Sequence, residues 1–155
     1  MMLDVAAISL LCCPDVAPAT MRAIVSYESR NNPFTITLNR AGVRLSRQPA
    51  SAAEAVDVAR RLSAAGINFD SGLAQVNSIN VTRYGATWES VFDTCGNLRI
   101  AARILGTCYA HTPVTNAPQA RLQGALSCYN TGNYTGGFAN GYVVHVYHAA
   151  IINAK

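Results

Sequence analysis

The sequence has few charged residues, no long apolar run and no basic tract. Charged residues make up 13% of the 155 residues and hydrophobic residues make up 50%, which excludes a highly charged disordered chain. The longest apolar stretch, "VAAISLLCC", is too short to cross a bilayer and lacks the basic start of a secretory signal. We therefore expect no transmembrane segment, and no signal peptide is evident in this chain.

Positive charge is modest and dispersed. The formal net charge is +4, and the arginines between Arg22 and Arg121 are scattered, with no basic run interleaved with aromatic residues. This pattern argues against nucleic-acid binding. A mildly basic protein is instead attracted to anionic polymers, cell-wall material included.

Metal-binding spacings are also missing. The five cysteines show no Cys-x-x-Cys pair, and "HVYH" has two histidines but no evident third ligand, so two surface histidines are the favoured interpretation. We expect no metal and no cofactor. Five cysteines in a chain of this size indicate an oxidising compartment.

The length fits a single domain over residues 1–155 that is mainly helical. Ser51 and Glu54 predict a capping box at the start of one helix, and Gly66 predicts its end. The segments "CGNLRIAARILGTCYA" and "PQARLQGALSCYNTG" predict two neighbouring helices. "GGFANGYVVHVYHAAII" suits a strand by its β-branched residues and a helix by its length, and we choose a helix.

One short stretch has the period of a β-strand. "TITLNRAGVRL" alternates Ile36 and Leu38, then Val43 and Leu45, across a turn that contains Gly42. This pattern predicts a small β-hairpin. The predicted fold class is therefore α+β, predominantly helical, with one small sheet.

A single glutamate ends an apolar helical stripe. In "AIVSYESRNNP", Glu28 follows Met21, Ile24 and Val25 at spacings of seven, four and three, which predicts that its side chain points inward. Desolvation would raise its pKa towards the range of a general acid that works near neutral pH. The alternative is a helix-terminal glutamate that reaches water or pairs with a neighbouring arginine.

Three polar clusters in a fixed order resemble one superfamily. "YESRNNP", "FDSGLAQVN" and "SCYNTG" resemble the motifs that line the saccharide cleft of goose-type lysozymes and lytic transglycosylases. "NPFTITLN", "GINFDSGLAQVN", "FDTCGNLRIAARIL" and "GFANGYV" narrow the resemblance to the peptidoglycan-cleaving transglycosylases of type IV secretion and conjugation systems. The resemblance covers residues 12–146 and implies a lysozyme-like fold with its small sheet beside the cleft.

The resemblance implies that Glu28 is the catalytic acid and then the base. The family's reaction cleaves the β-1,4 bond between N-acetylmuramic acid and N-acetylglucosamine and leaves a 1,6-anhydro product. The implied partners are peptidoglycan glycan strands and components of a type IV secretion or conjugation system. The implied location is the periplasm of a Gram-negative bacterium.

Further residues are implied to contact or position the substrate. Gln75 and Asn77 are suited to hydrogen-bonding the sugars, although a loop-capping amide is the alternative for Asn77. Tyr129 is expected near Glu28, although a core aromatic is its alternative. The implied set is Ser29, Thr37, Gly72, Leu73, Ala74, Gln75, Asn77, Tyr129 and Asn130.

The remaining roles in this set are local. Ser29 is expected to fix the geometry around the glutamate, Thr37 to place its hydroxyl against the glutamate, and Asn130 to brace a helix end. The backbone of residues 72–74 is expected to approach the ligand closely.

Asp70 leaves the reaction type open. It resembles the second carboxylate of animal-type lysozymes, which would permit hydrolysis by water, and a turn-capping aspartate is an equally weighted alternative. A third alternative is a wall-binding assembly module without catalytic activity.

The resemblance also implies one disulfide. Cys12 resembles a family cysteine that pairs with one at the position of Cys95. Cys108 and Cys128 lie on the two helices predicted to be neighbours, which predicts a second bridge. Cys13 is then left free or exchanges with Cys12.

Overall fold

The computed structural model describes residues 3–113 and 117–154. Most of these residues are helical, and a three-stranded antiparallel sheet lies between the second and fourth helices in the chain. The elements in chain order are α1 (Val5–Cys12), α2 (Pro18–Ser29), β1 (Ile36–Leu38), α3 (Ala52–Ala64), β2 (Phe69–Ser71), β3 (Val76–Asn77), α4 (Ser78–Arg83), α5 (Trp88–Val91), α6 (Thr94–Ala110), α7 (Pro118–Thr131), α8 (Gly136–Ala139) and α9 (Tyr142–Asn153). The predicted α+β class is confirmed.

Helix α2 is buried in the main core, between α1 and α9. Met21, Ile24 and Val25 are completely buried, as their spacing predicted. The helix ends at Ser29 because Arg30 and Asn31 both adopt left-handed backbone conformations, with φ of 53° and 65°. The chain therefore turns away immediately after Glu28.

The sheet has the strand order β1-β2-β3. Asp70, in the middle of β2, is level with Thr37 on β1 and with Asn77 on β3. This register places one polar residue from each strand side by side across the sheet.

The predicted hairpin is wrong in its second half. Ile36 and Leu38 form a strand, but residues 43–45 do not, and Val43 is 44% exposed. β1 pairs with β2 instead, and the Gln48 side chain occupies the other edge of β1. Its amide accepts from the Ile36 N–H at 2.8 Å and donates to the Ile36 carbonyl at 3.0 Å. One side chain thus satisfies the groups that a second hairpin strand would have paired.

The helices follow their local signals. Ser51 caps α3 by accepting from the Glu54 N–H, whereas the Glu54 carboxylate accepts from Ala50 rather than from Ser51. The ambiguous C-terminal segment forms α8 and α9, so the choice of a helix is confirmed. α6 and α7 pack against each other as expected.

Both predicted disulfides are present. Cys12–Cys95 joins the end of α1 to the start of α6, and Cys108–Cys128 joins α6 to α7. Cys13 is free and buried, and burial raises the pKa of its thiol. Two disulfides indicate an oxidising compartment.

Across residues 3–113 and 117–154, no helix combines the length and the apolar character needed to cross a membrane.

Candidate active site

A cleft of about 650 Å³ lies between the sheet and helices α4, α6 and α7. Glu28 contributes from the end of α2, and the polar residues of the sheet form one part of the wall. Its polar and aromatic lining includes Glu28, Asn39, Asn68, Asp70, Gln75, Asn77, Asn80, Arg83, Tyr84, Thr107, His111, Tyr129 and Asn130.

Glu28 is a partly buried carboxyl group in the wall of this cleft. Desolvation by burial raises its pKa from 4.5 to about 7, the Tyr142 hydroxyl opposes this shift, and the charge of Asp70 adds to it. Glu28 therefore changes between its protonated and ionised forms near neutral pH. The same group can donate a proton in one step and accept one in the next.

Tyr142 is a site residue that the sequence interpretation did not assign. It is the first residue of α9, it is 1% exposed, and its ring packs edge-on against Tyr27 at 4.9 Å between centroids. Its hydroxyl faces Glu28 closely enough to lower the pKa of that group, but it has no bond of standard geometry to any described residue. The motif "GFANGYV" contained this tyrosine, but the helix-or-strand ambiguity hid the direction of its side chain.

Replacing Tyr142 with phenylalanine is expected to raise the pKa of Glu28 above about 7, because the hydroxyl favours the ionised carboxylate. The cost in stability should be small, since no well-formed hydrogen bond is lost. An NMR titration of the Glu28 carboxyl carbon in the two proteins measures the shift. An unchanged or lower pKa in the variant would contradict this role of Tyr142.

Tyr129 lies beside Glu28 and connects α7 to the β2–β3 turn. Its hydroxyl donates to the Ala74 carbonyl at 2.6 Å. Burial, with a further contribution from the charge of Glu28, raises its pKa, so the phenol stays protonated. Tyr129 also lines the cleft, which places it next to the acid and within reach of a bound ligand.

Asp70 lines the same cleft as Glu28. Burial raises its pKa, while hydrogen bonds from Asn77 and Asn39 lower it. The Asn77 amide donates to Asp70 Oδ1 at 2.8 Å. Asp70 is close enough to Glu28 for its charge to raise the pKa of Glu28. The Asn77 amide holds the Asp70 carboxylate in place.

The side chain of Asn77 forms its hydrogen bonds with other protein groups. It donates to Asp70 and to Asn68, and its oxygen accepts from Asn68 and from the Ile79 N–H at the start of α4. The structure thus gives Asn77 the loop-capping role that was its alternative, together with the support of Asp70. Asn39 extends this network by donating to Asn68 at 2.7 Å.

Gln75 is likewise occupied by internal bonds. Its Nε2 donates to the carbonyls of Thr35 and Gly72, both at 3.0 Å, and its Oε1 accepts from the Thr37 hydroxyl at 2.6 Å. The expected contact of Thr37 with Glu28 is therefore replaced by a contact with Gln75. Both amide hydrogens of Gln75 are used, so its expected donation to a sugar is not available in this arrangement.

The backbone of residues 72–74 does not face the cleft as expected. Leu73 and Ala74 are completely buried. The side chain of Asn97 holds this turn in place by hydrogen bonds. Asn97 is 1% exposed and was not identified from the sequence. Its oxygen accepts from the Ala74 N–H at 2.8 Å, and its amide donates to the carbonyls of Ser71 at 3.1 Å and Val91 at 2.8 Å.

The close contact of Asn97 with this turn requires a glycine at position 72. Its φ is +80°, and a Cβ atom there would lie 2.1 Å from Asn97 Nδ2. Any larger residue would meet both a strained backbone and a steric clash. The glycine thus permits the close approach of a buried amide rather than of a ligand.

Of the two remaining predicted residues, Asn130 lies in the cleft and Ser29 does not. Ser29 is buried, does not line the cleft, and donates to the Val25 carbonyl at 3.2 Å, so it does not contact a ligand there. Asn130 is exposed in the cleft and accepts from the Asn140 amide at 2.8 Å, which joins the end of α7 to the end of α8.

No cluster of three histidine, cysteine or acidic side chains within the described ranges could hold a metal ion. The cleft is lined by a carboxyl group with a pKa near neutral, a second carboxyl group and Tyr129, and Tyr142 is buried behind the first carboxyl group. Such an arrangement is suited to protonating a glycosidic oxygen.

The chain is similar to one family of known proteins. The family described as Transglycosylase SLT domain matches residues 7–148. Type IV secretion system protein virB1 of Brucella suis biovar 1 (strain 1330) is 47% identical over 129 residues, which are 82% of this chain and 53% of that protein. Protein virB1 of Agrobacterium fabrum (strain C58) is 40% identical over 139 residues, which are 90% of this chain and 56% of that protein.

The chain belongs to the SLT transglycosylase domain family, and its fold is the expected lysozyme-like one. It spans about half the length of the curated relatives that it matches. No solved structure matches the chain significantly.

Proposed function

We propose that this chain is the catalytic domain of a peptidoglycan lytic transglycosylase. The observation that carries the proposal is the Glu28 carboxyl group, which lies in the wall of the cleft with a pKa raised to about 7. The family membership supports the same reaction class.

In the first step, protonated Glu28 donates its proton to the glycosidic oxygen between N-acetylmuramic acid and N-acetylglucosamine. A sugar oxygen is a poor leaving group until it is protonated, and a carboxyl group with a raised pKa supplies that proton. The bond from this oxygen to the muramyl C1 breaks, and the substrate's own N-acetyl group can stabilise the positive charge at C1.

In the second step, ionised Glu28 accepts the proton of the muramyl C6 hydroxyl, whose oxygen attacks C1. This gives the 1,6-anhydro product and restores the protonated acid without consuming water. Tyr142 faces the ionised form of Glu28, and Tyr129 holds the adjoining turn through Ala74. A single carboxyl group can therefore serve both steps.

Asp70 supports a second candidate, a lysozyme-type muramidase. It lines the same cleft, and its charge raises the pKa of Glu28, as a neighbouring carboxylate in a hydrolase would. In that reaction Asp70 stabilises or traps the charge at C1, and water completes the cleavage. Against it, Asp70 Oδ1 already accepts a hydrogen bond from the Asn77 amide, at 2.8 Å.

Product analysis separates these candidates. We expect digestion of purified glycan strands to release 1,6-anhydro-muramyl ends, each about 18 Da lighter than the hydrolysis product because no water is added. Mass spectrometry of the fragments measures this difference. Reducing muramyl ends would support the muramidase, and tight glycan binding without fragments would support a wall-binding module.

We further propose that the reaction opens the wall locally for a type IV secretion or conjugation apparatus in the periplasm of a Gram-negative bacterium. The two curated relatives described above carry the name virB1, and one of them is named as a type IV secretion system protein. The two disulfides suit an oxidising space outside the cytoplasm.

A further inference from the structure

We propose that the α4–α6 side of the cleft, centred on Arg83, binds carboxylate groups of the peptide stems that peptidoglycan strands carry. This inference rests on the proposed function, because it assumes that a glycan strand occupies the cleft. It assigns a role to a charged residue that the glycosidic chemistry itself does not use.

Charge is unevenly distributed in the cleft. Among the described lining residues, the acidic side chains are Glu28 at the end of α2 and Asp70 on β2. Arg83 lies in the last turn of α4, and His111 follows the end of α6. The acidic groups therefore come from α2 and β2, and the positive charge of Arg83 comes from α4.

Arg83 has no carboxylate partner within residues 3–113 and 117–154. Its closest polar contact is a weak one, from Nη1 to Asn80 Oδ1 at 3.4 Å. The ion pairs found in those ranges join Arg47 to Glu54, Arg60 to Glu89 and Arg61 to Asp57. The guanidinium of Arg83 is exposed at the cleft and can receive an acidic ligand.

A second arginine, Arg103, contacts a residue of this part of the wall. The guanidinium carbon of Arg103 lies 4.7 Å from the ring centroid of Tyr84, which itself lines the cleft. The Tyr84 hydroxyl is 3.5 Å from the Thr107 hydroxyl. Arg103 is thus held against the ring of the residue that follows Arg83 in the chain.

The chemistry of peptidoglycan identifies the ligand. Its alternating N-acetylated sugars are uncharged, so the sugar chain offers no group that would pair with a guanidinium. The peptide stems on the muramyl lactyl groups carry carboxylates, and arginine binds carboxylates in a planar two-bond geometry. Glu28 and Arg83 line the same cleft, so we place the stem of a bound muramyl unit on its α4–α6 side.

The test compares two forms of the same glycan strands. One form retains its stems. The other has been stripped of them by an N-acetylmuramoyl-L-alanine amidase, and the lactyl carboxylates that this frees have been converted to methylamides, so that the strand carries no charge. We expect Arg83→Gln to reduce the preference for stem-bearing strands, measured as the ratio of the two kcat/KM values, by about 3- to 10-fold. The change should appear in KM rather than in kcat, and added salt should diminish the wild-type preference.

Arg22→Gln is the matched control, because Arg22 is exposed near the start of α2, lies outside the cleft lining and carries the same charge. It should leave the ratio unchanged. A ratio unaffected by Arg83→Gln, or equal losses for Arg83→Gln and Arg22→Gln, would overturn the assignment.

A binding measurement keeps this test separate from the proposed reaction. Isothermal titration of Glu28→Gln protein with short stem-bearing and stripped strands reports the same preference without turnover. If the wild-type protein cleaves neither strand, the proposed function fails, while these affinities still decide whether Arg83 recognises stems.

Discussion

Replacing Glu28 with glutamine is expected to lower kcat for glycan cleavage by about 10²- to 10⁴-fold, the contribution of a positioned general acid. Glutamine has nearly the volume of glutamate but cannot transfer a proton, so substrate binding should change little. Release of soluble fragments from labelled glycan strands measures the loss. Glu89→Gln is the matched control, because Glu89 is exposed on α5 and outside the cleft.

The same variant should be more stable than the wild type at alkaline pH. The pKa of Glu28 is about 7 in the folded protein and 4.5 in the unfolded chain, so the folded protein binds this proton more tightly. The stability that this proton contributes is complete below pH 4.5 and is lost as the pH rises through about 7. Glutamine avoids that loss. We expect the free energy of unfolding of Glu28→Gln to exceed that of the wild type by about 1–3 kcal/mol at pH 8.

Urea titrations at pH 8 and pH 4 measure this difference, which should vanish at pH 4, where the carboxyl group is protonated in both states. Activity of Glu28→Gln within about tenfold of the wild type would exclude Glu28 as the acid. A variant less stable than the wild type at both pH values would show that its activity loss includes a folding defect.

Replacing Asn97 with leucine is expected to lower the free energy of unfolding by about 3–5 kcal/mol. The substitution keeps the approximate size of a fully buried side chain but removes the partners of the Ala74 N–H and of two carbonyl groups. A buried polar group without a partner costs about 1–3 kcal/mol. This is a large share of the roughly 5–15 kcal/mol that stabilises a typical domain.

Urea unfolding of Asn97→Leu measures this cost, and Asn153→Leu is the control, because Asn153 is exposed at the end of α9. Activity should fall as well at temperatures where the variant is folded, since Asn97 holds the turn whose Ala74 carbonyl receives the Tyr129 hydroxyl. A loss below about 1 kcal/mol would mean that the turn finds other partners.

Features decided by neighbouring residues were predictable from the sequence. The burial of α2 followed from the spacing of Met21, Ile24 and Val25, and the same spacing directed Glu28 inward. Ser51 capped its helix for the same local reason. The disulfide of Cys12 with Cys95, which joins distant residues, needed the family resemblance instead.

Features decided by distant residues could not be predicted in this way. An amide side chain can form hydrogen bonds with a ligand or with other protein groups, and the fold determines which. Gln75 and Asn77 were expected to bind sugars, but their bonds go to Thr35, Thr37 and Asn68 on other segments. Asn97 was overlooked because its three partners lie in other parts of the chain.

The Gln48 amide has a consequence for the outer edge of the sheet. An exposed edge strand offers free N–H and carbonyl groups on which another chain can extend the sheet. At Ile36 both of these groups are already bonded to one side chain. A foreign strand would have to displace that amide before it could pair there, so the sheet beside the cleft is protected at this residue against aggregation by strand addition.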